Sequence, residues 1–183
     1  SSNVFLGNYA GKCMQTGAMN IAMGSSALMG SSTPGNNTGG CNIVFGKEAG
    51  GVMTSGNQNV LIGCKAGNAL TTAERNVYLG TAAQSTATGN DNVAAGFGAA
   101  TNNTGNYNVM FGKWAGKEQT SGAHNVMIGA NVAKCHTTGD CNVFIGNEAG
   151  SHASSSGGTG ANNIGVGCKA LTALTSGYDN TVL

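Results

Sequence analysis

The sequence predicts an all-β protein, a parallel β-solenoid or β-roll with coils of about 17 residues, on three observations. A short phrase recurs ten times: NVFLG at Asn3, NIAMG at Asn20, NIVFG at Asn42, NVLIG at Asn59, NVYLG at Asn76, NVAAG at Asn92, NVMFG at Asn108, NVMIG at Asn125, NVFIG at Asn142 and NIGVG at Asn163. An eleventh copy, Asn180-Thr181-Val182-Leu183, lacks the glycine. Successive asparagines lie 17, 22, 17, 17, 16, 16, 17, 17, 21 and 17 residues apart, too short for a helical-pair repeat or a propeller blade. Each unit also holds two glycine positions, and glycine disfavours helix by about 1 kcal/mol.

Counting the asparagine as column one, the elements follow in order. Column two is Val or Ile in every full unit, as suits a pleated strand. Column four is apolar and column five is glycine. Column eight is Ala10, Ala27, Ala49, Ala66, Ala83, Ala99, Ala115, Ala149 or Ala170, with Val132 in the remaining unit. Three residues before the next asparagine stands a glycine preceded by Ser or Thr, with Ala73 as the exception. One coil is therefore expected to hold a short strand, a corner, a second extended segment and a turn. With a side-chain period of two, columns two and four are read as interior ladders, stacked about 4.8 Å apart. Alanine is read as the point where a second wall comes close. The glycines mark corners with positive φ or close backbones, and the asparagines cap a turn and bond to their copies in neighbouring coils.

On that assignment column three points outward, although it holds Phe5, Ala22, Val44, Leu61, Tyr78, Ala94, Met110, Met127, Phe144 and Gly165. A monomer would show these as one long apolar stripe, beyond what soluble monomers tolerate. Strands covered on both faces read as unbroken apolar runs. The expectation is thus an obligate homo-oligomer, most simply a trimer, with Phe5, Val44, Leu61, Tyr78, Met110, Met127 and Phe144 at its interface.

Only 8% of the 183 residues are charged, 32 are glycine, and the net charge is +1. This leaves no electrostatic footprint for nucleic acid and no apolar run long enough for a membrane span. Residues 1–183 read as one repeat domain of about ten and a half coils. It is expected to be a segment of a longer fibre or a filament unit that stacks end to end. No cofactor is expected.

The phrases NVFIGNEAG (142–150) and NVMFGKWAGKEQTSGAHNVMIG (108–129) resemble the N-x-x-[IL]-G-x-x-A-G repeats of bacteriophage tail fibres, notably those of cyanophages and marine phages. They are similar, more distantly, to the coils of trimeric autotransporter adhesin heads. The resemblance spans the chain and implies a trimeric fibre in a virion, a shaft or receptor-binding segment that attaches to a host surface. The alternatives are an adhesin head on a bacterial surface and a self-assembling extracellular filament. Coils of about 17 residues, against about 14 in the adhesin heads, depart from the latter pattern.

Six cysteines fall into repeat columns: Cys13 and Cys135, Cys41 and Cys141, Cys64 and Cys168. Cys135 and Cys141 bracket one loop and Cys13 and Cys41 occupy the same two columns, so both pairs are disulfide candidates. Cys64 and Cys168 lie about six coils apart, beyond the ~7 Å Cα limit for a bridge. Cys135, His136 and Cys141 lack the further ligands a zinc site needs. Asp91, Asp140, Asp179, Glu48 and Glu148 are expected at separate solvent-facing corners, and His124, His136 and His152 in loops. A carboxylate pair for glycoside cleavage or a nucleophile triad is not assembled by this spacing, so a non-catalytic protein is expected. Two intervals are longer than the rest. Their inserted residues, Ser31, Ser32, Thr33 and Pro34 in one and Ser151, His152, Ser154 and Ser155 in the other, are candidate surface-binding loops, with a host-surface glycan as the candidate partner.

Overall fold

The computed structural model describes residues 2–32, 37–84, 89–152 and 157–183. It is all-β, a solenoid whose coils each contribute one short strand: β1 (Val4–Leu6), β2 (Ile21–Met23), β3 (Ile43–Phe45), β4 (Val60–Ile62), β5 (Val77–Leu79), β6 (Val93–Ala95), β7 (Val109–Phe111), β8 (Val126–Ile128), β9 (Val143–Ile145), β10 (Ile164–Val166) and β11 (Thr181–Val182). All eleven form a single parallel sheet in chain order. The register is the one the repeat demands: Val126 opposite Val143, Met127 opposite Phe144, Ile128 opposite Ile145. The expected second extended wall is absent as a strand among the described residues, where the rest of each coil is a run of turns followed by bends and irregular backbone, with one isolated bridge between His136 and Gly158.

Backbone conformation explains that difference. Three columns of each coil sit in the left-handed region with φ near +55°, whatever the residue: column seven (Glu48, Lys65, Trp114, Glu148), column nine (Leu28, Gln84, Ala133, Leu171) and the residue before the asparagine (Met19, Arg75, Tyr107, Cys141). Such residues cost roughly 1–2 kcal/mol each. Inter-coil hydrogen bonds hold them. The column-seven N–H donates to the preceding coil, as from Trp114 to the Phe97 carbonyl (3.0 Å), and the column-nine N–H to the following one, as from Ala133 to the Ala149 carbonyl (2.8 Å). Backbone bent this way cannot lie flat as a strand, yet its donors are still paired along the stack.

The asparagine ladder is built as expected and does one task more. At all ten coil junctions the asparagine N–H donates to the Oδ1 of the previous asparagine, at 2.8–3.1 Å. The Nδ2 group of Asn125 also donates to the Gly139 carbonyl at the end of its own coil (2.9 Å), as that of Asn142 does to Gly160 (2.9 Å). Each asparagine thus closes one coil and joins it to the next. Gly139 itself admits no side chain, because a Cβ there would run into the Gly160 carbonyl.

The strand orientation is opposite to the expectation. Column three faces the interior: Ala22, Val44, Leu61, Tyr78, Ala94, Met110, Met127 and Phe144 are fully buried, and they pack with the column-eight alanines. Phe5, in the first coil, is partly exposed and lies over Gly11 of the same coil. Columns two and four face outward instead, and Ile21, Ile43, Ile62, Leu79, Phe111 and Ile128 each remain 36–39% exposed. An apolar triplet carries no mark of which face is inside, and a flip of one residue exchanges every side chain.

Size compensation decides the matter. Where column three is large, column nine of the same coil is usually glycine or small, and the aromatic ring of Phe144 fills the space a Cβ on Gly150 would take. In two of the three coils where column three is small, column nine is leucine: Leu28 accompanies Ala22, and Leu171 packs against Gly165, while Ala94 is paired with Ala100. Both columns share one interior layer.

Candidate functional site

Except for Phe5, which stays partly exposed in the first coil, the residues expected at an oligomer interface are therefore core. Val44, Leu61, Tyr78, Met110, Met127 and Phe144 are inaccessible to a partner, because their strands turn column three inward. The Tyr78 hydroxyl, pushed upward in pKa by burial, is accordingly held neutral. What the outside offers is the other face of the same sheet, two apolar side chains per coil from β1 to β10 without a charge.

None of the six cysteines is bridged in this structure. Neither Cys135–Cys141 nor Cys13–Cys41 is bridged. Cys41 and Cys141 stand in the left-handed column before the asparagine, at φ +58° and +57°, and are exposed, whereas Cys13 and Cys135 are half-buried.

Of the two candidate loops, Thr33, Pro34, Ser154 and Ser155 lie outside the described residues. Ser31 is held at both backbone ends by buried Asn37, whose Oδ1 accepts from its N–H (2.8 Å) and whose Nδ2 donates to its carbonyl (2.7 Å). His152 is no solvated loop residue. It is 6% exposed, and its ring centre lies 6.4 Å from that of His136, which is 1% exposed and meets the Phe144 ring edge-on at 5.5 Å. Burial first, and then the neighbouring His152, lowers the His136 pKa to about 4. His136 belongs to interior column twelve with Met53, Leu70 and Gln119. Its place three residues after Ala133 was the legible signal, since Met14, Met53, Leu70 and Leu174 hold the same column in other coils.

Glu48, Glu74, Asp91, Glu118, Asp140 and Glu148 are occupied by ion pairs and hydrogen bonds. Glu48 lies 3.6 Å from Lys65 and Glu148 lies 3.7 Å from Lys169, each pair joining column seven of successive coils. Arg75 grips Asp91 with Nε at 2.7 Å and Nη2 at 3.0 Å, and Glu74 at 2.7 Å, so the hydrogen bonds from the guanidinium hold the Asp91 carboxylate below its usual pKa. Asp140 accepts from the Ala123 N–H (2.7 Å). Among the described residues, no three His, Cys, Asp or Glu side chains gather to hold a metal ion, and no helix is long and apolar enough to cross a membrane.

One corner is concave. A groove of about 660 Å³ is lined by Trp114, Asn131, Glu148 and Lys169 on one side and Lys134, Cys135, Ser151, His152 and Thr172 on the other. The first four are column seven of four consecutive coils, and the second set comes from columns ten and eleven. The same corner forms a smaller hollow of about 310 Å³ two coils from the start of the stack, between Ser26 and Glu48 and the segment Gly51, Val52, Asn68 and Met29. The sequence reading missed this groove, although the lone tryptophan and the lysines around it were visible.

Comparison with protein-family models, curated proteins and solved structures found no match to this chain.

Proposed function

We propose that the chain is a structural fibre segment, a rigid rod that works without catalysis as a shaft or attachment element of the bacteriophage tail-fibre kind, in a virion or at a cell surface. The observation that supports this reading is the uniform stack. Eleven strands pair in register, and the asparagine, alanine and glycine columns are spent on joining coils. Solenoid stability is roughly a sum over such neighbour interfaces, which makes length easy to extend.

The rod works as a bundle of copies, a homotrimer on the simplest count, closed over the outward columns two and four. Some twenty apolar side chains, each about a third exposed, sum to on the order of 1,000 Å², above the ~800 Å² per partner of a stable interface and beyond the patches monomers carry. Replacing Ile62 and Ile128 by Glu tests it. Sedimentation should show a multi-copy wild type and a monomeric variant that keeps its β circular dichroism. A wild type that sediments as a single chain would sink the bundle.

A further inference from the structure

The corner groove is the feature that neither stacking nor bundling uses. It is on a different face from columns two and four, and it is where column seven turns its side chains outward. We infer that the groove across the coils of β7 to β10 binds an acidic glycan, a sugar chain bearing carboxylate or sulfate groups. This inference deepens the attachment reading by naming the ligand class.

Four features of the site carry it. The indole of Trp114, the sole tryptophan of the chain, packs back over Gly98, where a Cβ would lie 2.7 Å from Cδ1, and beside Phe97 at 6.3 Å. It is thereby braced as a fixed apolar surface at the mouth of the groove, suited to the C–H face of a pyranose ring.

Cations surround that surface. The Nζ atoms of Lys113, Lys134 and Lys117 lie 4.3, 5.5 and 5.7 Å from the indole centre. With Lys169 they make half of the eight cationic side chains of the protein, gathered at one corner. Two of the four are balanced: Lys117 by Glu118 at 3.3 Å and Lys169 by Glu148 at 3.7 Å. Lys113 and Lys134 have no ion-pair partner among the described residues, so the site has an excess of positive charge while the whole chain is nearly neutral.

The lining between these ends is made for hydroxyl groups. Asn131, Ser151 and Thr172 supply amide and hydroxyl donors and acceptors. The four column-seven residues rise by one coil each, so the groove is about 14 Å long at ~4.8 Å per coil, the reach of a short oligosaccharide. A single-stranded nucleic acid would want successive aromatic platforms along a basic track, and this groove has one aromatic ring.

Trp114 makes the test direct, because indole emission comes from this site alone. Titration with oligogalacturonate should change the emission saturably, and maltooligosaccharide of equal length should leave it unchanged. The K113A/K134A double variant should lose at least tenfold in affinity. The K12A variant, which removes a lysine over Tyr9 at the far end, should bind as the wild type does. These are surface changes, and an unaltered melting temperature verifies the fold. The inference fails if there is no saturable response. It fails equally if maltooligosaccharide or inorganic sulfate at matched ionic strength gives the same response, or if oligothymidylate binds as tightly. Because sedimentation tests the bundle and emission tests the groove, either reading can fall without the other.

Discussion

At the scale of single residues, the chain reserves its polar groups for joining coils, and the exceptions stand out. His136 is the sharpest. Its ring is buried against Phe144 and His152, and its pKa is lowered to about 4. An unfolded chain protonates this ring near pH 6.5, well before the folded one does. The contribution of neutral burial is therefore complete above that pH and lost as the pH falls from about 6.5 towards 4, at up to about 1.4 kcal/mol per pH unit. Chemical denaturation at a series of pH values should show this slope, and His136→Leu should flatten it, since Leu70 and Leu174 occupy the same column. An unchanged slope in the variant would place the acid sensitivity elsewhere. The left-handed columns, by contrast, were invisible in the sequence. Tyr, Lys, Glu, Cys and Trp all occur there, because inter-coil hydrogen bonds impose the conformation and the side chains do not select it.

At the scale of the coil, period and class were legible and orientation was not. Seventeen-residue spacing, β-branched column two and the two glycine columns suffice for a parallel solenoid. A strand such as Val143-Phe144-Ile145 is apolar on both faces, so alternation says nothing about which side is inside. The missing information was a correlation between two columns: Phe144 with Gly150, Ala22 with Leu28, Gly165 with Leu171. That correlation makes a reciprocal prediction. Phe144→Ala should cost about 3–5 kcal/mol through the cavity it leaves. Adding Gly150→Leu, at a φ of +63° close to the +57° that Leu171 already tolerates, should recover part of the loss. Urea unfolding of the two single variants and the double variant measures the coupling. A strictly additive result would separate the two columns. The groove escaped the sequence reading for a similar reason, because its two walls come from columns seven and ten to eleven of different coils, and only the stack brings them together.

At the scale of the whole molecule, every cross-section of the rod is held by the same bonds, and these point along its axis. The asparagine N–H ladder, the strand ladder and the column-seven and column-nine bonds all run from coil to coil, while the covalent chain winds around the axis. Tension on the rod therefore loads hydrogen bonds, with the peptide bonds left slack. Pulled by its two ends, a single chain should unreel from a terminal coil inward, each coil releasing about 17 residues of slack, or about 55 Å of extended chain. Force spectroscopy of an isolated chain should resolve evenly spaced ruptures of that length, with longer steps at the two expanded coils. A single high-force rupture of the entire domain would contradict it. The mechanical consequence is that such a rod is a poor rope by itself. Load is spread only when neighbouring copies clamp its outer sheet face and hold many coils at once.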